Sequence, residues 1–310
     1  MTTSPDLTVR VGAMVMKNPV MVASGVFGYG DEFRGLAPYE GLGALVLKTV
    51  TLAPRAGNPP ACRTAETPAG MVNAIGLENV GLEAFLREKL PAALSYDTNI
   101  IASIAGESAE EFAACARRLD QAPVAAVEVN ISCPNVKSGG MAFGIDPQAS
   151  AEVVRAVRAA TGKPVIAKLT PNVTDVAVVA RACEGAGADA LSLTNTFAAM
   201  VIDVDRRCPL LAANTGGLSG PAIRPIAVYQ VFRVARAVKL PIIGMGGIWN
   251  AQDALEFILA GATAVAVGTA LYADPEAPHR VLRGLRSYCE RHGVGRISEL
   301  VGTVRLHGAS

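Results

Sequence analysis

Ala126-Val127-Glu128-Val129-Asn130-Ile131-Ser132-Cys133-Pro134-Asn135-Val136-Lys137-Ser138-Gly139-Gly140 is an alternating apolar run that closes in amides, a hydroxyl and a thiol before a proline and a glycine pair stop it. Ala126 to Ile131 reads as a buried strand whose C-terminal end turns polar groups into a site. Beyond it, Pro147 to Ala160 carries apolar residues at helical spacing, so strand and helix make one βα unit.

That unit recurs along the chain. Further runs rich in Val, Ile and Ala lie at Val20 to Ser24, Ala44 to Val50, Ile100 to Ala105, Pro164 to Leu169, Ala190 to Thr194, Pro241 to Met245 and Ala264 to Gly268. Amphipathic helical patterns lie at Ala109 to Leu119, Val173 to Ala186, Pro225 to Val238 and Ala251 to Ala260, several after a Ser, Thr or Asn suited to an N-cap. Continuously apolar strands separated by helices imply a parallel sheet covered on its outer face. Eight such units in roughly 250 residues fit an α/β fold of the (β/α)8 TIM-barrel type better than an open doubly wound sheet.

Residues 51–99 and 197–240 are too long for simple connections. Each is expected to hold a loop in addition to a helix, inserted at the C-terminal face of the barrel. Leu7 to Lys17 alternates weakly and is expected to form an N-terminal hairpin closing the barrel bottom. No linker or shift in composition divides the chain, so residues 1–310 read as a single domain.

The bulk composition excludes several classes. Twenty-eight basic against 27 acidic side chains leave a net charge of +1 with no block of like charge, which argues against nucleic acid as a partner. No apolar run reaches the ~18 residues of a membrane span, and the opening MTTSPDLTVR lacks the apolar core of a signal peptide, so a cytoplasmic protein is expected. The six cysteines are scattered without a C-x-x-C pair, which disfavours a disulfide framework or a self-contained zinc or iron–sulfur site. The histidines are His279, His292 and His307. In an enzyme using acid–base chemistry, Cys133 is therefore a leading candidate for the base.

The strand ends carry the chemistry. Lys48 follows Ala44-Leu45-Val46-Leu47, and Lys168 sits inside Val165 to Leu169. An unpaired ammonium in a buried strand is costly, and although snorkelling accounts for either lysine alone, two at equivalent ends point to a site. Ser24, Thr49, Ser103, Asn130, Thr194, Asn195 and Thr196 lie at the same ends, where barrel enzymes assemble their active sites. The last two strands instead supply Gly246-Gly247 and Gly268-Thr269, whose backbone N–H groups fall where barrels commonly hold a phosphate. Gly25-Val26-Phe27-Gly28-Tyr29-Gly30 has the order G-x-x-G-x-G and makes a weak dinucleotide fingerprint.

Taken together these residues resemble a known family. Asn130 to Gly140 is similar to the active-site loop of the class 1 dihydroorotate dehydrogenases, and its Val136-Lys137-Ser138-Gly139-Gly140 continuation resembles the NAD-linked 1B branch. Ala23-Ser24-Gly25, Lys48-Thr49, Asn73 to Leu77, Lys168-Leu169-Thr170, Asn195-Thr196, Gly217 to Gly220, Gly246-Gly247 and Gly268-Thr269 follow in the family's order over nearly the whole chain. Class 2 enzymes place Ser at the Cys133 position and carry an N-terminal extension, whereas fumarate-linked 1A enzymes share the cysteine without that continuation.

The resemblance implies an FMN barrel that oxidises dihydroorotate to orotate in pyrimidine synthesis. FMN would meet Ser24, Lys48, Thr49, Asn130, Lys168, Thr194, Gly220, Gly246, Gly247, Gly268 and Thr269, the last four around its phosphate. Ser103, where relatives often carry Asn, would make a shorter contact. The substrate would meet Lys48, Asn73, Ala74, Ile75, Gly76, Leu77, Asn130, Asn135, Asn195 and Thr196. Cys133 would take the C5 proton as hydride leaves C6 for flavin N5, with Lys168 stabilising negative charge at the N1/C2 carbonyl edge. Branch 1B further implies a partner subunit carrying FAD and a [2Fe–2S] cluster that reduces NAD⁺, two catalytic chains with two partner chains, and no metal on this chain.

Three other readings stay open on sequence. A dihydropyrimidine dehydrogenase-type flavin subunit shares the barrel and an Asn-x-Ser-Cys-Pro loop, and turnover of dihydrouracil but not dihydroorotate would single it out. A Schiff-base aldolase using Lys168 would be colourless and trapped by borohydride with its substrate. A non-catalytic phosphate-ligand binder explains the glycines but leaves Cys133 and the paired lysines without a purpose.

Overall fold

The computed structural model describes residues 4–30, 32, 35–36, 39–132 and 143–308. Eight parallel strands close into a barrel: β1 (Val20–Val22), β2 (Ala44–Val46), β3 (Asn99–Ile104), β4 (Ala126–Asn130), β5 (Val165–Lys168), β6 (Ala190–Leu193), β7 (Ile242–Met245) and β8 (Ala264–Val267). They neighbour one another in chain order, and Val265 opposite Val20 joins β8 to β1 to complete the ring. Nearly every strand residue is buried, as expected of a sheet filled by side chains inside and covered by helices outside. β1 and β2 are shorter than expected from sequence, ending at Val22 rather than Ser24 and at Val46 rather than Val50, although Ala23 and Leu47 still donate to neighbouring strands and Val50 bridges Ile104.

From β3 onward each strand is followed by a helix: Ala109–Asp120, Pro147–Ala160, Val176–Gly185, Arg224–Ala235, Ala251–Ala260 and Ala277–His292. Caps set several of the starts. The Ser108 hydroxyl accepts from Glu111 N at 3.3 Å, the Asp146 carboxylate from Gln148 N at 2.8 Å, and the Asp175 carboxylate from Ala177 N at 2.9 Å. The Asp175 cap is why the third of these helices starts at Val176 and not at Val173. The Asn250 side chain and Asp253 form a reciprocal capping box at the head of Ala251–Ala260.

The N-terminal hairpin is present, with Val9–Val11 antiparallel to Met14–Met16. It seats at the N-terminal ends of the strands, where Asn99 Nδ2 donates to Val15 O at 3.1 Å. The two long connections hold more regular structure than loops. Thr64–Thr67 and Gly70–Asn73 come from the first, Phe197–Ala199 and Gly216–Ser219 from the second, and together they make one four-stranded antiparallel sheet. The join is Gly70–Asn73 against Gly216–Ser219, with Asn73 opposite Gly217. The barrel and its helices share a continuous apolar core, while the inserted sheet keeps a small cluster of Ala65, Val72 and Leu211. No helix among the described residues is long and apolar enough to cross a membrane.

Candidate active site

A cavity of about 910 Å³ lies between the C-terminal ends of the barrel strands and the inserted sheet. Its volume falls in the upper part of the range usual for ligand and cofactor sites, about 300–1,000 Å³. Every described residue read from the sequence as a site residue lines it, with one exception. Ser103 is buried beneath Thr49, its hydroxyl 2.9 Å from Thr49 Oγ1, and supports that residue rather than facing the cavity. Cys133 and Asn135 lie outside the described residues.

One side of the mouth is a continuous polar chain. Asn130 Nδ2 is 3.5 Å from Thr49 Oγ1, the Ser132 hydroxyl donates to Asn130 Oδ1 at 2.5 Å, and Asn195 Nδ2 donates to Ser132 Oγ. Thr196 N then donates to Asn195 Oδ1 at 2.8 Å. Side chains from the ends of β2, β4 and β6 therefore hold one another in place, which fixes amide donors and acceptors around the opening before any ligand arrives. Ser132, the hydroxyl in the stretch quoted first, was read as a polar strand-end residue without a ligand of its own, and it links Asn130 to Asn195.

The two lysines differ. Lys48 is half-buried, faces the cavity, and meets no carboxylate at ion-pair distance among the described residues, so its ammonium is available to an anionic ligand. Lys168 is 5% exposed and donates to Ser24 Oγ at 2.9 Å. Below it lies Glu128, 1% exposed, with Oε1 3.8 Å from Lys168 Nζ and Oε2 accepting from the Ser192 hydroxyl at 3.1 Å. Glu128 was inside the stretch quoted first, and a carboxylate amid Ala126, Val127 and Val129 was the available signal.

Opposite the lysines the backbone makes the wall. Gly247 has φ +75°, and a Cβ there would come 2.7 Å from Gly220 O and 2.9 Å from Arg224 Cβ. Gly220, with φ +99°, would set a Cβ 2.6 Å from Gly70 Cα. Only glycine allows these three segments to pack backbone to backbone at the cavity edge, and Gly246, Gly268 and Thr269 line the same corner. Thr269 Oγ1 donates to Ser219 Oγ at 2.8 Å, tying the end of the barrel to the inserted sheet.

The inserted sheet brings Asn73 and the loop Ala74 to Leu77 over the opening. Arg63 and Glu78 border that loop as a 2.5 Å ion pair, and hydrogen bonding to Arg63 holds the Glu78 carboxyl below the usual carboxylate range. Neither residue was singled out in the sequence.

Ammonium groups, hydroxyls, amides and a glycine corner around one cavity define a (β/α)8 barrel with a polar, amide-rich cavity at the C-terminal face, a donor set able to meet an anionic group and a heterocycle. The family model described as dihydroorotate dehydrogenase matches residues 6–288, and the chain belongs to that family. Relatives named dihydroorotate dehydrogenase B (NAD(+)), catalytic subunit, cover it almost end to end. That from Desulforudis audaxviator is 58% identical over 97% of this chain and 98% of its own length. That from Geobacter sp. strain M21 is 55% identical over 97% and 99%, and that from Trichlorobacter lovleyi 55% over 97% and 99%.

Proposed function

We propose that this chain oxidises dihydroorotate to orotate in the making of pyrimidines, with FMN in the barrel mouth. The observation that carries the reading is that Lys48, Lys168, Asn130, Asn195 and the glycine corner converge on one cavity. Their donor set fits FMN: Gly246, Gly247, Gly268 and Thr269 would hold the phosphate, and Ser24, Thr49, Lys168, Thr194 and Gly220 the ring system. FMN, when bound, supplies an acceptor for the hydride from substrate C6.

The chain's own groups do the rest. Lys48 pairs with the substrate carboxylate, as an ammonium facing the cavity can. Asn73, Asn130, Asn135 and Asn195 present both donors and acceptors to the alternating edge of the pyrimidine, with Thr196 beside them. The loop Ala74 to Leu77 covers the substrate and excludes water. Cys133 removes the C5 proton, so that loss of proton and hydride leaves the C5–C6 double bond of orotate. Lys168 would hold its ammonium toward the flavin, where a cation would favour the reduced form.

The names of the relatives include the words catalytic subunit, which imply a separate partner. We assign FAD and a [2Fe–2S] cluster to that partner, with NAD⁺ as the final acceptor, in a complex of two catalytic and two partner chains in the cytoplasm. The Val136-Lys137-Ser138-Gly139-Gly140 continuation supports this branch. The absorbance spectrum tests the reading: flavin bands bleached anaerobically by dihydroorotate are expected, and a colourless protein that cannot be reconstituted with FMN overturns it.

A further inference from the structure

Glu128 has no part in the chemistry above, yet it sits in the barrel interior directly beneath the site. It lies opposite Ser103 on β3 and Ile166 on β5. Its Oε2 is held by Ser192, whereas Oε1 is buried and has no hydrogen-bond donor among the described residues. The cation within reach is Lys168 Nζ at 3.8 Å, and Lys168 directs its hydrogen bond the other way, to Ser24 at 2.9 Å. The side chains of this pair are 6% and 2% exposed.

Among the described residues each is the one group of opposite charge within 4 Å of the other, and burial limits the screening of their attraction by water. Lysine has three donors, and Lys168 lines the cavity with capacity left after Ser24.

We propose that Glu128 is a positioning residue: it is the buried counter-ion that seats Lys168 against Ser24 and offsets its charge, and so sets how readily a flavin above Lys168 accepts electrons. The inference rests on the FMN reading. With the pair intact, the charge beneath the flavin sums to zero. Replacing Glu128 by a neutral amide leaves an uncompensated positive charge there, which favours the more negative, reduced flavin.

The test is a redox titration of the FMN-loaded chain without substrate, comparing wild type with Glu128→Gln and Glu128→Asp. Flavin content is first measured by absorbance. Glu128→Gln is expected to move the midpoint potential in the positive direction, and Glu128→Asp, which withdraws the charge by one methylene, to move it the same way by less. A purely space-filling Glu128, or one already protonated in the wild type, predicts wild-type potentials in both variants, and that result overturns the proposal. Should Glu128→Gln fail to fold, the Asp variant carries the same comparison. A wild-type chain that takes up no FMN removes the functional reading together with this one. A wild type that binds FMN beside variants of unchanged potential removes only the role of Glu128.

Discussion

The barrel wall and the four-stranded sheet above its mouth are both β-structure, but they are stabilised differently and, on the proposed function, would face different ligands. The wall is a closed ring of parallel strands inside one continuous core. The sheet is antiparallel, open at both edges, and rests on Ala65, Val72 and Leu211. The proposed flavin contacts sit mostly at the ends of wall strands, whereas Asn73 and the loop after it belong to the sheet. Rigidity is therefore concentrated where a cofactor stays bound, and adaptability where substrate enters and product leaves.

The largest expected effect comes from Cys133, which follows β4 in the chain. Cys133→Ser should retain FMN and lose turnover near neutral pH by about 10²–10⁴-fold, measured as the rate of anaerobic flavin bleaching. Wild-type-like rates would take Cys133 out of the mechanism. Because the thiolate is the active form and an unperturbed thiol titrates near ~8.5, wild-type activity should rise towards alkaline pH.

A pair of leucines contrasts the regions in stability. Leu45, fully buried in β2, becomes a cavity in Leu45→Ala and should cost about 2–5 kcal/mol in urea denaturation. Leu211, equally buried, belongs to the small cluster. Leu211→Ala should shift global unfolding by less than about 1 kcal/mol while speeding hydrogen exchange over residues 64–73 and 216–219. Equal losses for the two would show that sheet and barrel unfold as one.

The division of ligands can be tested at Asn73. Asn73→Ala should raise KM about tenfold, the size of one hydrogen bond, with FMN content unchanged. Loss of FMN instead would place the sheet in the cofactor site. The mildest test uses thiols. Cys62 and Cys208, in the two insertions, are exposed, whereas Cys115 and Cys183 lie on barrel helices, where burial pushes both thiols up to about 12. An alkylating reagent at pH 8 should modify the first two and leave the second two intact, as read by mass spectrometry.

The same contrast explains what could be read from sequence. Barrel strands announce themselves as apolar runs such as Val165-Ile166-Ala167, and the caps Asp175 and Asn250 mark helix starts. The sheet strands are short and glycine-rich, as in Gly216-Gly217-Leu218-Ser219, and pair with residues far away in the chain, so no local pattern marks them. Site residues at wall ends were legible because polar groups stand out against apolar neighbours. Ser103 was misjudged in direction, since a strand end shows which residue is polar but not whether it faces the cavity or braces the residue that does. Glu128 was missed for the opposite reason: its role depends on Lys168 and Ser192, which the chain supplies from β5 and β6.

Asn73 has one further consequence, for the order of assembly. Its strand can pair early with Thr64–Thr67, but a two-stranded hairpin is marginal alone, and the partner that secures it is Gly216–Ser219. During synthesis the substrate-facing edge must wait until the ribosome has released more than two-thirds of the chain. Contacts so distant in sequence form late, after local strand–helix units have condensed. The glycine corner of Gly246, Gly247, Gly268 and Thr269 comes later still, so gate and cofactor corner are both completed only as β7 and β8 close the ring.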